Sequence, residues 1–207
     1  MAIKNIIFDL GGILINLDFD KTINEFDRLG FKEMEKFFGL GKAADFVEDY
    51  EVGKINDEQF IHAVRSLTNI QADDEQIVYA WNALLLDFPE ERIGLLQQLA
   101  KKYRLFLFSN TNALHLAHFG ALFQQQFGFS LNSLFEKAYY SHTINQRKPY
   151  TEAFEWILND AKIDAAETLF IDDALNNIEG ARMVGLHTRY VPKGQTIMEI
   201  NWEALEP

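Results

Sequence analysis

The sequence predicts an α/β fold: a doubly wound parallel-sheet (Rossmann-like) core with an inserted helical cap domain. Three observations predict it. Short uninterrupted apolar runs, among them Ile6-Ile7-Phe8, Leu105-Phe106-Leu107-Phe108 and Leu169-Phe170-Ile171, read as strands covered on both faces. From Glu90 onward such runs alternate with stretches of helical period, the pattern of βαβ units. Between Lys21 and Leu86 the period is helical throughout, so a helical block interrupts the alternation after its first strand.

Taken in order, the first run ends at Asp9 and is broken by Gly11-Gly12, after which Ile13-Leu14-Ile15 forms a second short apolar run. In the helical block the apolar positions are Ile23, Phe26 and Leu29, then Met34, Phe37 and Phe38, then Phe60, Ile61, Val64 and Leu67. Gly53-Lys54-Ile55-Asn56 is a turn within it, and Asn56 followed by Gln59 has the spacing of a capping box. Asp87-Phe88-Pro89 closes the block. Beyond it the sequence predicts helix over 93–102, strand over 105–108, helix over 114–127, strand over 138–140, helix over 151–161, strand over 169–171, helix over 177–184 ended by Gly185, and a last strand over 188–191. The expected organisation is a core of residues 1–15 and 89–207 with an all-helical insertion of residues 16–88.

At 207 residues and 48% hydrophobic content, the chain has enough apolar material for one ordinary domain and a modest inserted one. Its 19 basic against 31 acidic residues give a net charge of -12, which argues against nucleic acid as a partner, because that binding draws on basic patches. The absence of cysteine excludes disulfides, a thiolate nucleophile and thiolate metal sites. The start, Met1-Ala2-Ile3-Lys4-Asn5, lacks the apolar stretch of a signal peptide, and no segment approaches the roughly 20 apolar residues of a membrane span. The expectation is a soluble cytoplasmic protein with no membrane partner.

The predicted strands end in polar groups, and in an open parallel sheet such residues converge on one crevice. Asp9 stands where a strand meets a glycine-rich turn, so a carboxylate is presented beside backbone that a ligand can approach closely. A turn or N-cap aspartate is the plain alternative. Ser109-Asn110-Thr111 follows the second run and offers a hydroxyl and backbone N–H groups to an anion, or simply caps a helix. Lys148 precedes Pro149, which restricts its backbone; the plain alternative is a surface lysine. Asp172-Asp173 places two carboxylates at one strand end, where they repel unless a cation or hydrogen bonds compensate, and hard oxygen ligands of this kind suit Mg²⁺. Asn177 is either a ligand to metal-bound water or a helix cap.

The ordered set of strand-Asp9, strand-Ser109, Lys148-Pro149 and strand-Asp172-Asp173 resembles the four motifs of the haloacid dehalogenase-like (HAD) superfamily. That resemblance implies Asp9 as nucleophile, with Ser109 and Lys148 completing the catalytic set. It implies Gly11, Gly12, Ser109, Asn110 and Lys148 against the substrate, and Asp9, the Gly11 carbonyl, Asp172 and Asp173 around Mg²⁺. The helical insertion resembles the small cap of the superfamily's first subclass. The segments Phe8-Asp9-Leu10-Gly11-Gly12, Ser109-Asn110-Thr111-Asn112 and Asn177-Ile178-Glu179-Gly180-Ala181 look most like its glucose-1-phosphatase-like branch. The implied activity is hydrolysis of a small phosphomonoester, an aldose 1-phosphate being favoured, through an aspartyl phosphate.

Gly11 departs from the pattern, since most phosphatases of the superfamily carry there a second aspartate that protonates the leaving group. Three readings follow: a substrate whose leaving group needs little protonation, a substitute acid among Asp18, Asp20 and Glu51, or a catalytically weak phosphate-binding protein. Haloacid dehalogenases also lack that aspartate and work without metal, but the Asp172-Asp173 pair beside Asp9 argues against that alternative. His115 and His118, at i and i+3, have a metal-binding spacing but no third ligand, so a structural role is favoured. Phe46, Tyr50 and Trp81 are candidate substrate contacts in the insertion.

Overall fold

The computed structural model describes residues 2–32, 34, 45–68 and 71–204. Phe37, Phe38 and the side chain of Leu67 lie outside the described residues. Five parallel strands, β1 (Asn5–Phe8), β2 (Arg104–Ser109), β3 (Lys137–Tyr140), β4 (Thr168–Asp172) and β5 (His187–Tyr190), form one sheet in the order β3-β2-β1-β4-β5. The chain builds outward from β1 through β2 to β3, then crosses back to β4 on the other side of β1. The strand order therefore reverses at β1, where parallel sheets open a ligand crevice at their carboxyl ends.

Alternate side chains explain why these strands read as unbroken apolar runs. Ile6, Phe8, Leu105, Leu107, Leu169 and Ile171 enter one hydrophobic cluster with Ile93 and Leu96 of α5 (Glu90–Leu99) and Phe119 and Phe123 of α6 (Ala113–Phe127). Ile7, Phe106, Phe108 and Phe170 enter another with Phe154 and Ile157 of α8 (Thr151–Ala161) and Ile178 of α9 (Leu175–Met183). Neither face meets water, so neither needs polar residues. The half-buried edge strand β5 starts and ends one residue before the predicted 188–191. Helix α5 begins at Glu90 directly after Pro89, three residues before the predicted start, because Glu90 and Glu91 suit a first turn that apolar periodicity does not register.

In the helical stretch, α1 (Phe19–Arg28), α2 (Asp45–Glu51), α3 (Asp57–Thr68) and α4 (Asp74–Asn82) contribute Phe26, Val47, Tyr50, Phe60, Val64, Ile77 and Trp81 to a third cluster of its own. Its centre is aromatic: Phe60 stacks on Tyr50 at 4.3 Å between ring centroids and meets Trp81 at 4.6 Å. The expected capping box is present, with Asn56 and Gln59 exchanging bonds of 2.9 Å. Among the described residues, no helix is long and apolar enough to cross a membrane.

Candidate active site

Asp9 emerges one residue past β1, its N–H donating to the Ile171 carbonyl at 2.9 Å, so the end of β4 fixes its level in the sheet. Lys148, 1% exposed, reaches this point from the loop between the one-turn helix α7 (Ser141–Ile144) and α8. Its Nζ donates to Asp9 Oδ1 at 2.6 Å and to Asp172 Oδ2 at 2.7 Å. The lysine's backbone is held by Asn110, which accepts from the Lys148 N–H and donates to its carbonyl, both at 2.9 Å. Asn110 thus turns its side chain to Lys148 and offers a ligand only its backbone N–H. Ser109 ends β2 with its hydroxyl buried and only a long contact, 3.5 Å, to the Asn110 carbonyl.

The paired aspartates differ. Asp172 is fully buried and accepts from Lys148, from the Ala174 N–H at 2.8 Å and, at both oxygens, from Asn177 Nδ2 at 3.1 Å. Asn177 is therefore neither the cap of α9, which is Ala174, nor aimed at the crevice; it steadies Asp172. Asp173 is exposed. A Cβ on Gly12 would collide with Asp173 Oδ2, and Gly12 has φ of +70°, so this turn needs glycine twice over. Gly11 forms a bridge with Ile15, and a Cβ there would meet Leu17 Cδ1 at 2.8 Å.

Burial raises Asp9 to about 7, with Asp172 and Asp173 adding to the rise and Lys148 opposing it. The Asp173 side chain is exposed, but the partial desolvation of its carboxylate where it lies against the Gly12 turn, together with the neighbouring Asp172, raises it to about 6. Burial works against the charge on Lys148, but Asp172 and Asp9 outweigh it and raise its pKa. One ammonium does not neutralise three carboxylates. Asp9, Asp172 and Asp173 each offer an oxygen within 4.8 Å of the others, the arrangement a divalent cation relieves and the hard-donor set that Mg²⁺ prefers.

The other candidates lie elsewhere. His115 stacks on Trp81 at 5.0 Å and is 3.2 Å from the Trp81 carbonyl; burial lowers its pKa to about 4, so it is a neutral structural ring. Tyr50 and Trp81 are buried in the helical cluster, where the Tyr50 hydroxyl donates to Asp57 at 2.6 Å, and neither presents a face to substrate. Of the substitute acids, Asp18 caps α1 and Asp20 is exposed, whereas Glu51 is paired with Arg147 at 3.0 Å and has its pKa raised by burial. Arg147 also holds Glu48 at 2.7 Å, tying α2 to the residue beside Lys148. The sequence did not flag that link, nor the Asn110 clamp on Lys148.

Carboxylates and one lysine converging at the switch point of a parallel sheet define a hydrolase or transferase crevice for an anionic group. The family model for haloacid dehalogenase-like hydrolases matches residues 3–185, and the chain belongs to that family. It is 27% identical over 186 residues, 90% of each chain, to the D-ribitol-5-phosphate phosphatase of Bacteroides thetaiotaomicron. A variant of the HAD family enzyme bt-2542 from the same organism, in complex with magnesium and inorganic phosphate, superposes with a TM-score of 0.90 at 34% identity, over 94% of this chain and 96% of that one. A predicted HAD-like family hydrolase from Porphyromonas gingivalis gives a TM-score of 0.85 at 31% identity, over 94% of each.

Proposed function

We propose that this chain is a Mg²⁺-dependent phosphatase acting in the cytoplasm on a small phosphorylated metabolite, through an aspartyl phosphate. The observation that carries the reading is the placing of Lys148 between Asp9 and Asp172, with Asp173 beside them, at the end of β1. Asp9 attacks phosphorus with one carboxylate oxygen while Lys148 holds the other, and the ester oxygen leaves; water then hydrolyses the acyl phosphate and regenerates Asp9. Ser109 and the following backbone N–H groups, with Lys148, bind the phosphoryl oxygens. Asp9, the Gly11 carbonyl, Asp172 and Asp173 would hold Mg²⁺, which when bound supplies charge neutralisation at the phosphoryl group. Residues 1–15 and 89–207 act as catalytic core, and residues 16–88 as a cap that excludes water and selects the leaving group.

Gly11 gives no acid to the leaving oxygen, which favours esters of comparatively acidic hydroxyls, an aldose 1-phosphate first among them. The substrate in the name of the Bacteroides relative, a sugar-alcohol phosphate, makes that class the second to try. The test is phosphate release from both, and from other phosphomonoesters, by the chain and its Asp9→Asn variant, with Mg²⁺ and with chelator. Mg²⁺-dependent release that vanishes in the variant is expected. Release that survives in Asp9→Asn, or none from any ester, overturns the reading.

A further inference from the structure

A cavity of about 650 Å³ shares Gly12 and Asp173 with the crevice described above and extends from them toward the loop that follows β5. Arg92 of α5 lines it. Arg92 is only 7% exposed, and its Nε and Nη1 are sealed and without a hydrogen-bond partner among the described residues, so Nη2 is the guanidinium nitrogen left to face the cavity. Burial works against its charge; Asp87 and Glu91 are near enough to favour it, but neither accepts a hydrogen bond from it. A buried guanidinium that its protein neighbours leave unsatisfied favours a ligand that accepts from it.

The rest of the lining narrows what arrives. Asp18 lines the cavity and uses Oδ1 to cap α1, which leaves Oδ2 as an acceptor. Phe19, Tyr190 and Gln195 also line it. The lining sets three carboxylates, Asp18, Asp20 and Asp173, against two cations, Arg92 and Lys193, so it offers a second phosphate or carboxylate no net attraction. Hydroxyl groups accept from Arg92 and donate to Asp18, and the C–H face of a sugar or sugar alcohol packs on aromatic rings.

We infer that this cavity is the leaving-group subsite for a polyhydroxylated substrate, a sugar or sugar alcohol, and that Arg92 adds to the cap's selection from the core side by donating to its hydroxyls. The inference rests on the phosphatase reading for its place in catalysis, but binding can be tested apart from turnover. Two variants serve: Arg92→Gln, which removes the charge and most donors, and Gln195→Trp, which fills the cavity from an exposed loop position. The ratio of kcat/KM for glucose 1-phosphate and for ribitol 5-phosphate to that for p-nitrophenyl phosphate, which has no hydroxyls, is expected to fall about tenfold or more in both, chiefly through KM. Saturation-transfer NMR with free ribitol and free glucose is expected to give a binding signal with the wild-type chain that is lost in both variants. An unchanged ratio overturns the inference, as does absence of a wild-type signal for both free polyols. If no ester is hydrolysed but the polyol signal is present and depends on Arg92, the phosphatase reading and the leaving-group role fail while the polyol site stands.

Discussion

Removing divalent cation should make the protein less stable as pH rises, and magnesium should reverse this. Asp9 ionises at about 7 in the folded chain against an ordinary value of 3.8, and Asp173 at about 6. Both are carboxylates with raised values. Between about pH 4 and pH 7 these two groups therefore hold more protons in the folded chain than in the unfolded one, and their contribution to stability falls as pH rises through that window; His115, whose pKa burial lowers to about 4, contributes in the opposite direction below about pH 6.5, so the Asp9 contribution is read against a variant that keeps His115. The rise at Asp9 corresponds to roughly 4 kcal/mol lost by about pH 8. Asp173 is exposed and adds little beyond this after solvent screening. A cation bound only by the folded, ionised site restores about 2.7 kcal/mol at a hundredfold excess over its Kd, and much less near pH 5, where the protonated carboxylates do not hold it. The assay is urea unfolding at several pH values, in chelator and in Mg²⁺, for the wild-type chain and Asp9→Asn; in chelator the stability of the wild type relative to the amide should fall by about 3 kcal/mol from about pH 5 to pH 8. A difference that holds steady or rises over that range, or a magnesium gain equal at both ends, would refute the reasoning.

Lys148→Met leaves Asp9 and Asp172 facing each other without their ammonium; it should cost about 3–5 kcal/mol in urea unfolding with chelator, partly recovered by Mg²⁺, and abolish phosphate release. Gly11→Asp has room if Leu17 moves the free end of its side chain, and should raise kcat by roughly 10²-fold or more for alkyl phosphates while changing anomeric phosphates little; equal changes for both would contradict the leaving-group account. Phe60→Ala empties the aromatic centre of the helical cluster and should cost about 3–5 kcal/mol by denaturant unfolding, a loss under 1 kcal/mol showing that the cluster is not a packed core.

Local sequence carried the sheet because the sheet is buried on both faces. Ile6-Ile7-Phe8 and Leu105–Phe108 need no polar residue anywhere, so they stand out from their surroundings, whereas His187–Tyr190 at the edge mixes polar and apolar positions and was placed one residue late. The convergence of the polar strand ends was legible too, since parallel strands bring their carboxyl ends together whatever their separation in sequence, and the loop carrying Lys148 reaches Asp9 across 139 residues. Properties set by distant packing were not legible. Tyr50 and Trp81 have the composition of substrate contacts, yet they fill a core assembled from four helices. Arg92, after two glutamates at a helix start, reads as surface charge, and its local sequence does not announce that the side chain is buried at the wall of a cavity it shares with Asp173.

The Asp172-Asp173 pair makes the limit concrete. In sequence the two are interchangeable, and the argument that a cation must compensate them applies to both equally. The fold separates them by one step of the backbone: Asp172, the last residue of β4, points among Lys148, Asn177 and the Ala174 N–H, while Asp173 stands in solvent against Gly12. Lys148, Asn177 and the Ala174 N–H all go to Asp172, so the protein compensates that carboxylate most, and Asp173 is the member of the proposed cation set that most needs the ion. A side chain at Gly12 would displace Asp173 from its place, so the turn after β1 constrains that proposed set as firmly as the carboxylates do.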